Sequence, residues 1–104
     1  MSYTPLYTPE FQKQLKKYRS LKNIIQNKVE SLLIEPYHSN RSEPLHHKLK
    51  GLRSARVTQN IRIIFAICEE AKEYVREEII QTCKELGGKA IVFVTIDVHE
   101  KAYR

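Results

Sequence analysis

Residues 43–67, "EPLHHKLKGLRSARVTQNIRIIFAI", contain the pattern that decides the fold. The last seven of them place isoleucine or phenylalanine at every odd position and Arg62 on the opposite side. This alternation predicts a β-strand that buries one face. The preceding residues "SARV" predict a second strand, and a turn at 58–60 would join the two as a hairpin. The centre of the chain is therefore expected to be a sheet.

Two arginines interrupt this apolar hairpin. With a three-residue loop, Val57 faces Ile61, and Arg56 faces Arg62 across the strands. Like charges directly opposite each other destabilise a hairpin by up to about 1 kcal/mol. The pairing becomes favourable when an anion lies between the two guanidinium groups. Two other interpretations stay open, namely that both side chains extend into solvent or that another register separates them.

The flanking segments predict helices that pack on this sheet. Residues 2–7 predict a short edge strand, and Thr8-Pro9 has the residue types of a helix N-cap and first helical position. A second helix, antiparallel to the first, is predicted from Ser20 to about Ile34. Residues 89–98 are rich in β-branched side chains and predict the last strand, whereas residues 45–51 are a weaker strand candidate.

An acidic segment separates the last two predicted strands. Residues 69–85 contain six acidic and three basic residues, although the whole chain has a net charge of +6. Apolar residues at helical spacing predict a third helix near 71–86, ending at Gly87-Gly88 and capping one end of the sheet. The basic remainder suits a polyanion such as nucleic acid, or an acidic protein partner.

Together these elements predict an α+β fold in one domain, residues 1–104. One short strand and two antiparallel helices pack on a mostly antiparallel, twisted sheet, with the extra helix inserted near 71–86 and the helices on one face. No stretch of about 20 apolar residues predicts a membrane span, and the N-terminus does not resemble a signal peptide. A cytoplasmic protein is expected.

The cysteines and histidines predict neither a disulfide framework nor a metal site. Cys68 and Cys83 are expected to be buried or inactive thiols, as is usual for a cytosolic protein. None of the four histidines has metal-ligand spacing relative to these cysteines, so no zinc site is predicted. We expect no cofactor.

A second group of polar residues flanks the predicted sheet. Glu43, His46 and His47 precede the hairpin, whereas His99 and Tyr103 follow the last strand. Metal-free RNA cleavage requires a base for the ribose 2′-OH, fixed positive charge for the phosphorane, and an acid for the departing 5′-oxygen. No phosphate-binding loop, nucleophile elbow or pair of acids for magnesium competes with this interpretation. A single residue of any of these types more often has a structural role, so only the group as a whole predicts catalysis.

Residues 43–67 resemble the core motif of RelE/YoeB/Txe-type toxins from toxin–antitoxin operons. The shared pattern is Glu-Pro-Leu, then His, Leu and Gly, a Ser-x-Arg, and an Arg entering an aliphatic strand that ends near Phe-Ala-Ile. The ending "VHEKAY" is similar to the His-x-x-x-aromatic terminus of other branches. The resemblance covers most of the chain except about residues 69–88. It implies a RelE-like fold and a small, basic, metal-independent endoribonuclease that cuts mRNA in the ribosomal (70S) A site.

The same resemblance implies partners and residue roles. The partner is an antitoxin protein that silences the toxin, in a heterocomplex, and a homodimer is also possible; no membrane is involved. Matched by position, Arg62 is the main phosphate-stabilising residue and Glu43 the general base, while His99 is the general acid and Tyr103 contacts the substrate. Further substrate contacts are predicted for the basic residues of the central stretch: His47, Lys48, Lys50, Arg53 and Arg56.

Two other functions remain open. ParE-like proteins have this fold but inhibit DNA gyrase by binding, and they generally lack the Glu/Arg/His/Tyr set present in this chain. A catalytically degenerate toxin would act only as an antitoxin-binding partner. RNA end mapping separates the first function from these two.

Overall fold

The computed structural model describes residues 3–37, 42–45, 51–71, 77–87 and 89–98. The elements in chain order are β1 (Thr4–Tyr7), α1 (Pro9–Lys17), α2 (Lys22–Ile34), β2 (Glu43–Pro44), β3 (Arg53–Thr58), β4 (Ile61–Ile67), α3 (Glu77–Leu86) and β5 (Ala90–Val98). The strands form one sheet in the order β1-β5-β4-β3-β2. All neighbours are antiparallel except β1, which runs parallel to β5. The predicted α+β class is confirmed.

The start of α1 follows the sequence signals closely. The Thr8 side chain accepts a hydrogen bond from the Phe11 backbone N–H at 3.0 Å, and Pro9 occupies the first turn. The second helix begins two residues later than predicted, because Arg19–Leu21 form a 3₁₀ turn that links it to α1. None of the helices in the described ranges is both long and apolar enough to cross a bilayer.

The first face of the sheet carries the larger hydrophobic core. The odd positions of β4 point into it, and Ile63 and Phe65 are completely buried, as the alternation predicted. Helices α1 and α2 cover this face with the apolar side chains Phe11, Ile25, Val29 and Leu32. Burial of each such side chain stabilises the fold by about 1.5–3 kcal/mol.

The second face of the sheet is covered at one end by α3, so the expectation that all helices lie on one face is wrong. Ile64 and Ala66 of β4 are buried on this side, in a cluster with Ile79 of α3. The apolar stripe of α3 requires a surface to pack on, and the first face is already occupied. The helix ends before Gly87, whose φ of +88° favours glycine.

A disulfide bond joins Cys68, which directly follows β4, to Cys83 of α3. The expectation of buried or inactive thiols is therefore wrong, although both residues are buried. The helix that packs on the second face brings the two Cα atoms to 5.1 Å, which lies within the range that a disulfide spans.

The β3–β4 hairpin has the predicted Arg56–Arg62 pairing but a different loop. Thr58, rather than Val57, faces Ile61, because a β-bulge between Arg56 and Thr58 takes up one residue. The loop is consequently two residues long, and the pairing of Val57 with Ile61 is wrong. A bulge adds local twist to a hairpin, so the tip can close over a short turn without moving the two arginines out of register.

Candidate active site

Three charged residues form a row across the three central strands, close to the β3–β4 turn, on the second face of the sheet. Arg56 of β3 lies directly opposite Arg62 of β4, and Arg62 lies directly opposite Asp97 of β5. Because directly paired residues point to the same side of a sheet, all three share the face of Ile64, beyond the part covered by α3. Arg56 is exposed and the Arg62 side chain is 30% exposed. We call Arg56 and Arg62 the arginine pair.

Glu43 lies on the same face as the arginine pair. It pairs with Ser54, which is two residues before Arg56 on β3. Standard sheet spacings place Glu43 one strand away from Arg56, about 5 Å across, and about 7 Å along the strand direction. A carboxylate and two guanidinium groups with that offset can approach one bound phosphate and its ribose from two sides.

Asp97 is a residue of this candidate site that the sequence pattern did not predict. Its Oδ2 lies 3.6 Å from Nη2 of Arg62, and its side chain is 39% exposed. The sequence does contain an indication of it, because an acidic residue is unusual inside the otherwise apolar strand 89–98. Recognising its role required the register between β4 and β5, which a bulge shifts between Ile64 and Phe65.

Arg53, predicted to contact substrate, does not join the arginine pair. It pairs with Phe65 and so lies on the first face of the sheet, with a side chain only 12% exposed. Its Nε and Nη2 donate to the Glu70 carboxylate at 3.0 and 3.2 Å, and its Nη1 donates to Ser42 Oγ at 3.0 Å. A substrate contact would have to break this network, so we leave Arg53 out of the site that we propose.

Two tyrosines extend the Arg53 network toward the N-terminus. The Arg53 guanidinium lies 5.1 Å from the centre of the Tyr37 ring. The Tyr37 and Tyr3 hydroxyls both donate to Glu69 Oε2, at 2.9 and 3.1 Å. Burial, followed by the hydrogen bond to Glu69, raises the pKa of each tyrosine above its ordinary value. Glu69 and Glu70, two acids of the segment 69–85, therefore have structural partners.

The other predicted site residues lie outside the described part of the chain. They are His46, His47, Lys48, Lys50, His99 and Tyr103. In sequence, His99 comes two residues after Asp97 and directly after the end of β5. Their predicted roles as general acid, substrate contact or flanking group stay predictions.

The described residues form a candidate anion site, with one carboxylate on β2 and another on β5. Two guanidinium groups supply fixed positive charge, and Glu43 and Asp97 lie on the same face. Within the described ranges, no three His, Cys, Asp or Glu side chains are grouped so as to hold a metal ion. In such an arrangement the guanidinium groups can bind a phosphate, and a carboxylate can exchange a proton beside it.

Comparison with known proteins identifies solved structures with a similar fold. No protein-family model and no curated protein matches the sequence. Among solved structures, the RelBE2 toxin–antitoxin complex of Mycobacterium tuberculosis is 22% identical, with a TM-score of 0.63 over 95% of this chain and 100% of that one. A YoeB/ParE toxin from Agrobacterium tumefaciens is 13% identical, with a TM-score of 0.66 over 93% and 99%.

The similarity to a third solved structure extends over the full length of both chains. The toxin–antitoxin complex DinJ-YafQ of E. coli is 14% identical, with a TM-score of 0.62 over 100% of each chain. These similarities agree with the five-stranded, mostly antiparallel sheet and its helices. The chain therefore has the fold of the RelE-, YoeB- and YafQ-type toxins, as the resemblance in residues 43–67 predicted.

Proposed function

We propose that this protein is the toxin of a type II toxin–antitoxin system and acts as a metal-independent endoribonuclease on mRNA in the ribosomal A site. The single observation that carries the proposal is the arginine pair, Arg56 directly opposite Arg62 on an open part of the sheet. A pairing of like charges costs stability in the free protein. It is useful when a phosphate binds between the two side chains.

The proposed reaction uses the residues around that pair. Arg62, supported by Arg56, stabilises the negative charge that develops on the phosphorane, and a rigid sheet keeps this charge preorganised. Glu43 is the proposed base that removes the proton from the ribose 2′-OH. His99 is the proposed acid that protonates the departing 5′-oxygen, and Tyr103 the proposed contact with the substrate. The products are a 2′,3′-cyclic phosphate and a 5′-hydroxyl.

Charge and fold support the proposed partners. The net charge of +6 favours RNA and ribosomes, both of which are polyanions. Similar structures are named as toxin–antitoxin complexes. We therefore propose an antitoxin that covers the basic surface, with an acidic segment that orders on binding. The proposed site of action is the cytoplasm, where translating ribosomes are found.

Inducible expression in a bacterial host tests this function. Wild-type protein should arrest growth and produce new RNA 5′ ends within coding regions, whereas Arg62→Ala should do neither. Arg19→Ala is the matched control, because it removes one exposed positive charge from the 3₁₀ turn, away from the second face. Equal toxicity of Arg62→Ala and wild type would contradict the proposal. Trapped gyrase–DNA complexes without RNA cleavage would indicate the ParE-like function instead.

A purified system tests the chemistry separately. A single 2′-deoxynucleotide 5′ to the scissile phosphate should abolish cleavage, since the proposed nucleophile is then absent. Cleavage of the all-ribose substrate should continue in excess EDTA, provided that ribosome integrity is maintained with a polyamine. Cleavage of the 2′-deoxy substrate at an unchanged rate would exclude the proposed 2′-OH attack.

A further inference from the structure

We propose that Asp97 is a positioning residue for Arg62, which holds the guanidinium in place for cleavage at the expense of RNA affinity. The inference rests on the proposed ribonuclease function and adds a residue to it. Arg62 is the central member of the row, with a positive neighbour on β3 and a negative neighbour on β5. Its guanidinium is thus repelled from one side and attracted from the other.

The ion pair orients the Arg62 side chain. The Nη2–Oδ2 distance of 3.6 Å and the direct pairing across β4 and β5 bring the guanidinium toward β5. An arginine side chain has several rotatable bonds, and one that is partly exposed would otherwise sample many rotamers. Asp97 limits this sampling and keeps Arg62 apart from Arg56. The space between the two guanidinium groups is then available to a phosphate.

The backbone that carries Asp97 is itself anchored by α1. The β-bulge in β5 comes just before Thr95, and the Thr8 hydroxyl donates to the Val94 carbonyl oxygen at 2.7 Å. The Ile96 backbone N–H donates to Gln14 Oε1 at 2.7 Å. The Thr95 hydroxyl oxygen lies 2.6 Å from the same Gln14 oxygen. These contacts fix β5 on one side of Asp97, so the carboxylate is presented from a rigid strand rather than a loop.

The same carboxylate opposes RNA binding. Asp97 places a negative charge next to the residue that must receive the substrate phosphate. Removing this charge should strengthen the attraction of RNA by roughly the worth of one exposed ion pair, or about threefold in affinity. Loss of the ion pair that orients Arg62 should slow cleavage by about tenfold or more, because small displacements of a catalytic group have large effects on rate. Affinity and rate are therefore expected to change in opposite senses.

Single-turnover cleavage on programmed 70S ribosomes measures both quantities. The substrate is an mRNA with a defined codon in the A site, and the toxin is titrated in excess to obtain a maximal rate and a half-saturating concentration. For Asp97→Asn, the half-saturating concentration should fall about threefold and the maximal rate about tenfold. Asp97→Glu, which retains the charge, should recover most of the maximal rate.

Glu30→Gln controls for net charge. Glu30 is exposed on α2, on the other side of the sheet, and the substitution removes the same single negative charge. It should leave both parameters at their wild-type values. If Glu30→Gln lowers the half-saturating concentration as much as Asp97→Asn does, the effect on RNA affinity does not depend on the position of Asp97 beside Arg62, and this part of the proposal is overturned. An unchanged maximal rate in Asp97→Asn would overturn the positioning role.

Wild type and Arg62→Ala separate failure of this inference from failure of the proposed function. Cleavage by wild type that is lost in Arg62→Ala, but unaltered in Asp97→Asn, overturns only the role of Asp97. No cleavage by wild type overturns the ribonuclease function and the role of Asp97 together. Thermal unfolding of each variant tests whether the sheet is intact, and Asp97→Ser provides a second uncharged variant with a smaller side chain.

Discussion

Loss of the disulfide between Cys68 and Cys83 should destabilise the protein substantially. The bond closes a loop with a sequence separation of 15 residues. Cross-linking a loop of that length lowers the entropy of the unfolded chain and contributes about 3 kcal/mol at 25 °C. For a chain of this size, the melting temperature should fall by roughly 10–20 °C. The buried side chains of α3 are Ile79 and Cys83, so the disulfide involves one of the two residues that attach the helix to the sheet.

The assay compares oxidised wild type with reduced wild type and with Cys83→Ser. Urea titrations followed by circular dichroism give the free energy of unfolding in each case. Hydrogen exchange should show that amides of Glu77–Leu86 lose protection before those of Ile61–Ile67, because α3 can separate from the sheet while β4 keeps neighbours on both sides. The Cys68→Ser/Cys83→Ser double variant is the control, since a reductant should not alter its stability.

A small effect would refute this reasoning. A difference below about 1 kcal/mol between the oxidised and reduced proteins would show that the unfolded chain gains little freedom on reduction. Equal exchange rates in α3 before and after reduction would show that packing alone holds the helix. Simultaneous loss of protection in α3 and β4 would mean that the helix is part of the same cooperative unit as the sheet.

Two further substitutions test the charge and hydrogen-bond arguments. Arg56→Thr should raise the free energy of unfolding by up to about 1 kcal/mol, because it removes the like charge opposite Arg62, and it should weaken RNA binding; a less stable variant in urea titrations would contradict this. Burial and the hydrogen bond to Glu69 raise the pKa of Tyr37, so the folded state favours the neutral phenol. Stability should be retained below about pH 10 and lost as the pH rises above it, and Tyr37→Phe should show a shallower alkaline loss when unfolding is measured at several pH values.

The hairpin shows what the sequence could predict and why the details differed. The Arg56–Arg62 pairing was predicted from an assumed three-residue loop, and it is present although the loop is shorter. The alternation in β4 arises from one buried face, so the strand and the face that it buries followed from it directly. The loop length did not, because a bulge at Val57 changes the count without changing the apolar pattern. Asp97 was missed because strict alternation from Ile91 and Phe93 puts it on the first face, and the bulge in β5 is what brings it beside Arg62.

The disulfide and the position of α3 could not be predicted from the local sequence pattern, because both depend on tertiary contacts. Cys83 falls on the apolar stripe of α3, and its position in the sequence is the same whether it is a buried thiol or part of a disulfide. Only the packing of that stripe on the second face brings it to Cys68. The sequence predicts a substrate contact for Arg53, as for the other basic residues of the central stretch. A three-residue offset in a strand instead places the two side chains on opposite faces.

The position of α3 explains why the arginine pair can remain exposed on a sheet of this size. Both faces of a sheet so rich in isoleucine and valine need cover, and among the residues that the structure describes, the cluster under α3 covers Ile64, Ala66 and their neighbours on the second face. The row of Arg56, Arg62 and Asp97 begins where that cover ends, and its charges keep the remaining surface polar. The disulfide ties α3 to the covered end and so holds the boundary between the two regions. A helix that moved two residues further along β4 would cover Arg62, and the proposed phosphate site would be lost.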